Sequence, residues 1–322
     1  MTGVLRDTFE TGLPLRDAAC ETLLTLAETD GRIVFLDADC VSSSGLKRFF
    51  AKYPERAVQC GISEANMIGI AAGLSAVGYV PFCHSFGTFA SRRVVDQVFQ
   101  SAAYADLNIR IIGSDPGVTA AFNGGTHMPF EDVGSFRSIP GITIIEPTDS
   151  VMYAALLKTL AEVHGVYYLR VARKFSKKLY KDGTAFDIGK GIQLTSGNDC
   201  TVITSGGLLV SAALEAAEML KGEGIALRVV DMFTWKPVDA ALVARCAEET
   251  GAIVVAENHN VIGGLGSAVA EAAAAGRPVP MEFVGAEDRF GQVGTESFLA
   301  GEYGMTAEGI VAAVKRAMAR RA

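Results

Sequence analysis

Ile33-Val34-Phe35-Leu36, followed at once by Asp37-Ala38-Asp39 and the polar Ser42-Ser43-Ser44, is the stretch whose reading decides the fold. Four apolar residues without alternation describe a strand covered on both faces, as in a parallel sheet with helices above and below it. The acids and serines that follow lie where ligands bind in such sheets, in the loops beyond the carboxyl ends of the strands. Upstream, Arg16 to Glu28 reads as an amphipathic helix offering Ala19, Leu23, Leu24 and Leu26 to a core, and Asp30-Gly31 ends it. Downstream come a short helix near Leu46 to Lys52, a strand near Ala57 to Cys60, a helix from Glu64 to about Val77 and a strand at Tyr79 to Cys83. A helix from Ser91 to Tyr104, the strand Ile109 to Gly113 and a long glycine-rich loop, Ser114 to Pro129, come next. The strand Ile142 to Ile145, the helix Asp149 to Val163 and the strand Val166 to Val171 complete this half. Strand and helix alternate throughout, which predicts a doubly wound parallel sheet.

Between Ala172 and Asp199 the periodicity lapses into a polar stretch that reads as a linker, after which the pattern restarts. Strands are expected at Thr201 to Thr204, Ala226 to Val230, Ala252 to Ala256 and Val279 to Val284. Helices are expected at Leu208 to Lys221, Asp239 to Glu249, Gly266 to Ala275 and Ala307 to Arg320. The chain of 322 residues thus divides into two doubly wound α/β domains, 1–185 and a smaller 186–322.

A formal net charge of −7 argues against nonspecific nucleic-acid binding, which needs clustered cations; the only dense basic run is Arg170 to Lys181. Six cysteines are spread singly, without a C-x-x-C pair, as in a reducing compartment. Met1 to Glu10 lacks the apolar core of a signal peptide, and no run reaches the roughly 18 apolar residues that span a bilayer. A soluble, cytoplasmic protein is expected.

No G-x-x-x-x-G-K-[ST] loop, complete G-x-G-x-x-G fingerprint or G-x-S-x-G elbow is present, and Gly263 to Gly266 reads as tight strand-to-helix packing. The four histidines show no metal-ligand spacing. One acid stands out. Glu64 opens a helix with Ser63 as its N-cap and Gly78 past its end, amid Ile62, Met67, Ile68 and Ile70. In a first turn it could merely complement the helix dipole, worth roughly 0.3 to 1 kcal/mol. A buried acid without a charged partner instead suits proton exchange with a ligand. Phe82, Phe86, Phe89, Arg92 and Arg93 follow the next strand, and such an aromatic wall is either core or a holder for a flat heteroaromatic ring. His127 sits in the glycine-rich loop.

Gly61-Ile62-Ser63-Glu64-Ala65-Asn66-Met67, Ser85-Phe86-Gly87-Thr88-Phe89, Gly124-Gly125-Thr126-His127-Met128-Pro129 and Phe136-Arg137-Ser138-Ile139-Pro140-Gly141 resemble the pyrimidine-binding domain of transketolases. Met232 to Asp239 and Glu257 to Gly266 are similar to that family's C-terminal domain. The chain contains no Gly-Asp-Gly, the family's diphosphate and metal motif, so it resembles the C-terminal component of a split transketolase. The resemblance implies thiamine diphosphate and Mg²⁺ held largely by an N-terminal partner subunit, in an assembly of two chains of each kind. It implies transfer of a two-carbon ketol unit from a ketose phosphate to an aldose phosphate. It also implies that Glu64 hydrogen-bonds the cofactor's aminopyrimidine and favours its imino tautomer, which takes the proton from the thiazolium carbon. Phe89 would stack on the pyrimidine with Phe86 and Arg92 nearby, Ile62 and Asp39 would shape the pocket across the interface, and His127 would face the substrate. Arg16, Ser43 and Arg173 become candidate phosphate contacts, Arg being suited to bidentate phosphate binding.

Two departures bear on the sugar. Ser91-Arg92-Arg93-Val94-Val95 is more like the deoxyxylulose-phosphate synthases, and Asn123 stands near the substrate hydroxyls where the family commonly has Asp. The competing readings are the β-subunit of a 2-oxo acid dehydrogenase, a deoxyxylulose-phosphate synthase-like component, and a noncatalytic paralogue that keeps the fold.

Overall fold

A computed structural model describes residues 3–321. The first half carries β1 (Leu5–Thr11), β2 (Ile33–Asp37), β3 (Ala57–Gln59), β4 (Val80–Phe86), β5 (Ile109–Ser114), β6 (Ile142–Ile145) and β7 (Val166–Val171). β8 (Lys177–Tyr180) and β9 (Ile192–Gln193) follow, and the second half adds β10 (Cys200–Thr204), β11 (Leu227–Asp231), β12 (Thr234–Lys236), β13 (Ile253–Asn260) and β14 (Met281–Ala286). A seven-stranded sheet has the order β12-β6-β7-β5-β4-β2-β3, and a five-stranded sheet the order β14-β13-β10-β11-β9. All neighbours are parallel except β12 against β6 and β9 against β11.

The strand that decided the fold shows why. Ile33 and Phe35 point into one core with Leu15 and Leu23 of the Leu15–Thr29 helix, while Val34 and Leu36 point into another with Met67, Ile68 and Ala71 of the Glu64–Ala76 helix. Both faces of β2 are therefore covered, as its unbroken apolar run predicts. From β2 the chain crosses to one side for β3 and back to the other for β4. The crevice at the carboxyl ends of β2 and β4 is thus a topological switch point, the place where open α/β sheets bind ligands. The Glu64–Ala76 helix forms the crevice wall. It ends at Gly78, whose φ of 95° suits glycine; the Gly78 and Tyr79 N–H groups donate to the Ser75 and Leu74 carbonyls.

Two expectations are corrected. The stretch from Ala172 to Asp199 is not a plain linker: β8 pairs antiparallel with the unanticipated β1, and β9 joins the second sheet. β8 is held by Asp149, whose carboxylate accepts the Leu179 and Tyr180 N–H groups at 2.8 Å each. The helix from Ser91 to Tyr104 is broken into Gly87–Arg92, Val95–Gln97 and a π-helical turn at Val98–Ala103. Ser91 donates back to the Gly87 carbonyl at 2.6 Å and β-branched Val94 and Val95 follow, both unfavourable to a continuous helix. Of the basic run Arg170 to Lys181, Arg170 and Arg173 are buried while Lys174 and Lys177 are exposed.

The halves share their cores. β12, from the second half, forms the edge of the first sheet, and its Trp235 is fully buried and donates Nε1–H to Ser205 Oγ at 2.7 Å. Beneath it Arg170 of β7 donates to Asp132 at 2.8 and 3.2 Å, to Glu146 at 3.1 Å and to the Asn258 carbonyl at 3.0 Å. Burial alone would raise Asp132, but the Arg170 and His259 charges outweigh it and hold the carboxyl below its usual range. At the far end of β13 Glu257 accepts the Leu265 and Gly266 N–H groups at 2.7 and 2.9 Å. A Cβ on Gly264 would stand 2.0 Å from that carboxylate, so the packing requires glycine.

Removing Arg170 strands two buried carboxylates, and Arg170→Met is expected to cost about 3 to 5 kcal/mol of stability at pH 7. Denaturant unfolding should show that deficit shrinking as pH falls and the stranded groups take up protons. A midpoint unchanged at pH 7 would contradict this account.

Candidate active site

The crevice is anchored by a buried polar line. Asp37, at the end of β2, accepts the Cys40 N–H and stands 2.9 Å from His84 Nδ1, while His84 Nε2 lies 3.2 Å from Ser114 Oγ at the end of β5. A carboxylate partner makes Nδ1 the protonated nitrogen and leaves Nε2 to accept from Ser114. This line fixes the turn after β2, where Asp39 takes a φ of 61°, donates its N–H to Gln59 Oε1 at 2.7 Å and turns its side chain outward. His84 and Ser114 were not singled out in the sequence. They lie on separate strands, and only their positions near strand ends could have marked them.

Glu64 is the first residue of its helix and 4% exposed. Ser63 occupies the N-cap position without a side-chain capping bond. The expectation of an acid without a charged partner is corrected: Arg93 Nη1 donates to both carboxylate oxygens at 2.9 Å, and Ser85 Oγ stands at 3.4 Å. The same guanidinium lies 4.0 Å from the Phe89 ring centroid. Four residues apart along the chain, Phe89 and Arg93 fall on one side and meet. A flat group rich in hydrogen-bond donors therefore fits between the face of Phe89 and the Glu64 carboxylate, and Arg93 occupies that slot.

Around this slot Phe86, Phe89 and His127 gather edge to face: His127 lies 5.6 Å from Phe86 and 5.0 Å from Phe89, with the two phenyl rings 6.3 Å apart. His127 Nδ1 is 3.0 Å from Thr126 Oγ1. Arg92 turns to the histidine loop, pairing with Glu131 at 3.1 Å and donating to the Thr88 hydroxyl and the Thr126 carbonyl. Asn123 is exposed at the end of the Gly117–Asn123 turn.

Arg16, Ser43 and Arg173 converge. The Arg16 N–H donates to the Arg173 carbonyl at 3.1 Å, and Arg173 Nη1 donates to the Ser43 carbonyl at 3.3 Å. Arg173 is buried against Phe86 and its Nε donates to Asp115 at 2.6 Å. Arg16 Nε, by contrast, is buried without a hydrogen-bond partner, Asp17 standing off at 3.7 Å. A cavity of about 20 Å³, room for one water, lies among Arg16, Ser44, His84, Ser114 and Arg173.

The outer face of the Glu64–Ala76 helix is open. Ile62 and Val77 are 74% and 73% exposed, Asn66, Gly69 and Gly73 lie between them, and nothing stands within 4 Å of a Cβ built on either glycine. A helix apolar on every side normally has every side covered. Ile62 and Asp39 thus flank Glu64 on surface that this chain leaves bare.

With this geometry in place the comparisons with known proteins are decisive. The model described as "Transketolase, pyrimidine binding domain" matches residues 11–177, and that described as "Transketolase, C-terminal domain" matches residues 189–310. This chain belongs to the transketolase family. It is 47% identical to the 6-deoxy-6-sulfo-D-fructose transketolase subunit SqwH of Clostridium sp. (strain MSTE9), covering 95% of both chains. It is 34% identical to the transketolase of Rattus norvegicus over 91% of its own length but only 47% of the rat enzyme. A solved split gene transketolase, described as an inactive beta4 tetramer, superposes with a TM-score of 0.89 at 39% identity over 97% of this chain and all of the other. The transketolase chain therefore spans the whole of some relatives and about half of others.

The electrostatics of the transketolase crevice give a direct check. Burial, then the charges of Asp37, Glu64 and Asp39, push the half-buried Cys40 thiol up to about 11. Alkylation of Cys40 at pH 8 should run roughly 100-fold slower than that of an ordinary thiol, read by peptide mass mapping. Labelling at the ordinary rate would show that the thiol is neither desolvated nor faced by these carboxylates.

Proposed function

We propose that this chain is the C-terminal subunit of a split, thiamine-diphosphate-dependent transketolase that moves a two-carbon ketol unit from an anionic ketose to an aldose phosphate. The observation that carries the reading is the slot between Phe89 and Glu64, which already holds a planar donor group belonging to the chain itself. Thiamine diphosphate, when bound, supplies a nucleophilic carbon and an electron sink. Glu64 would hold a hydrogen bond at the edge of the aminopyrimidine in the place Arg93 now takes, and Phe89 and Phe86 would present their rings to it. His127, packed on both rings, would donate to a substrate oxygen. Buried Asp37 and His84 keep the Asp39 turn in position beside the slot.

Mg²⁺ and the diphosphate would be held by an N-terminal partner subunit, a reading supported by the match along nearly the whole of a transketolase subunit and of a split gene transketolase chain. The bare face beside Glu64 supports a site completed by another chain, in an assembly of two of each kind. Residues 1–185 would be the pyrimidine-binding domain and 186–322 the C-terminal domain, with β12 reaching across. A cytoplasmic setting suits the free thiols, and no described helix is long and apolar enough to cross a membrane. The donor's acidic tail would sit by Arg16, Ser43 and Arg173; in the SqwH relative the named donor carries a sulfonate.

Glu64→Gln keeps the shape of the side chain but not its charge. In the chain reconstituted with its partner it is expected to leave assembly intact and lower ketol transfer by at least about a hundredfold. Near-normal turnover would remove Glu64 from the chemistry. The chain alone should show no tight thiamine diphosphate binding by titration calorimetry, whereas strong binding would sink the split-enzyme reading.

A further inference from the structure

We propose that Asp115 sets the substrate's terminal group: by committing Arg173 to an ion pair it fits the pocket to a singly charged sulfonate in preference to a doubly charged phosphate. This rests on the ketol-transfer reading above and deepens it. Asp115 follows β5, is 2% exposed, and holds a φ of 57°, a left-handed conformation that Asp adopts more readily than most residues. Its N–H donates to the Val171 carbonyl at 2.9 Å and its carboxylate takes Arg173 Nε at 2.6 Å. The pair is therefore built into the junction of β5 and β7 and is not a loose surface contact.

The charge count follows from the side chains that meet there. Arg16 and Arg173 bring two positive charges, balanced by buried Asp115 and by Asp17, which stands 3.7 Å from Arg16 Nε, while Lys174 and Glu296, which also act in the field around Asp115, are of opposite sign. No surplus of positive charge remains to receive a dianion. Arg16 keeps a buried Nε that no acceptor satisfies. A sulfonate at this point supplies that acceptor and adds only a single negative charge. A phosphate dianion brings a second negative charge beside a carboxylate already shielded from water, where like charges repel most strongly.

Two 2-ketohexoses that differ only at C6, one bearing a sulfonate and one a phosphate ester, decide the matter when offered to the enzyme reconstituted with its partner chain. The sulfonate is expected to have the higher kcat/KM at pH 8, by roughly tenfold or more. Asp115→Asn, which keeps the shape and can still hydrogen-bond, is expected to raise kcat/KM for the phosphate by about tenfold and leave the sulfonate unimproved. In the native enzyme the phosphate donor should gain on the sulfonate as pH falls through about 6, where the ester becomes a monoanion. A preference unchanged by Asp115→Asn and flat with pH would overturn the proposal and leave ketol transfer standing. Failure to turn over any donor, with the complex assembled, would overturn both.

Discussion

The buried guanidinium of Arg170 is the interaction on which the rest of the molecule depends. It lies on a central strand of the first sheet, yet its partners come from the helix after the histidine loop, from the end of β6 and from β13 of the second half. Desolvating such a charge is unfavourable unless every partner is in place, so the cluster forms only when both halves are docked. Trp235, carried on a strand that the second half contributes to the first sheet, closes over the same group at 4.7 Å. The loop bearing His127 is held between these elements. The geometry of the crevice is thus set by the docking of the two halves, away from Glu64 and Phe89 themselves.

Within the crevice, burial is divided between groups that are finished and groups that are waiting. Asp37, His84 and Ser114 satisfy one another and shape the turn without touching the open surface. Phe89 and His127 are partly exposed, and Glu64, itself buried, pairs with an arginine that is half exposed. The finished groups give rigidity to the strand ends and helix that carry Glu64 and Phe89, and only His127 depends on a loop for its position.

Much of this was legible in the residues. Continuous apolar runs located the parallel strands because burial on both faces removes alternation, and Glu64 was conspicuous as an acid among apolar neighbours. Phe86, Phe89 and His127 do meet. The β1–β8 pair escaped notice because an edge pair needs little apolar content, and β8 draws much of its definition from a single carboxylate thirty residues away. The pairings of Arg93 and Asp115 escaped for a related reason. Charge pairs between distant segments leave no periodicity behind, so an arginine beside an aromatic residue reads the same whether it is solvated or bound to the central carboxylate. Arg173 shows the opposite case, a residue placed in the right neighbourhood whose charge was already taken.

The bare strip runs along Gly69 and Gly73 of the helix that presents Glu64, with Ile62 just before that helix and Val77 just after it. A chain released from the ribosome before any covering surface is at hand carries that strip into solution. Mass action then sets how soon it meets a second copy of itself. A mutation that made the lone chain more soluble by charging the strip would therefore also change the surface around the Glu64 carboxyl.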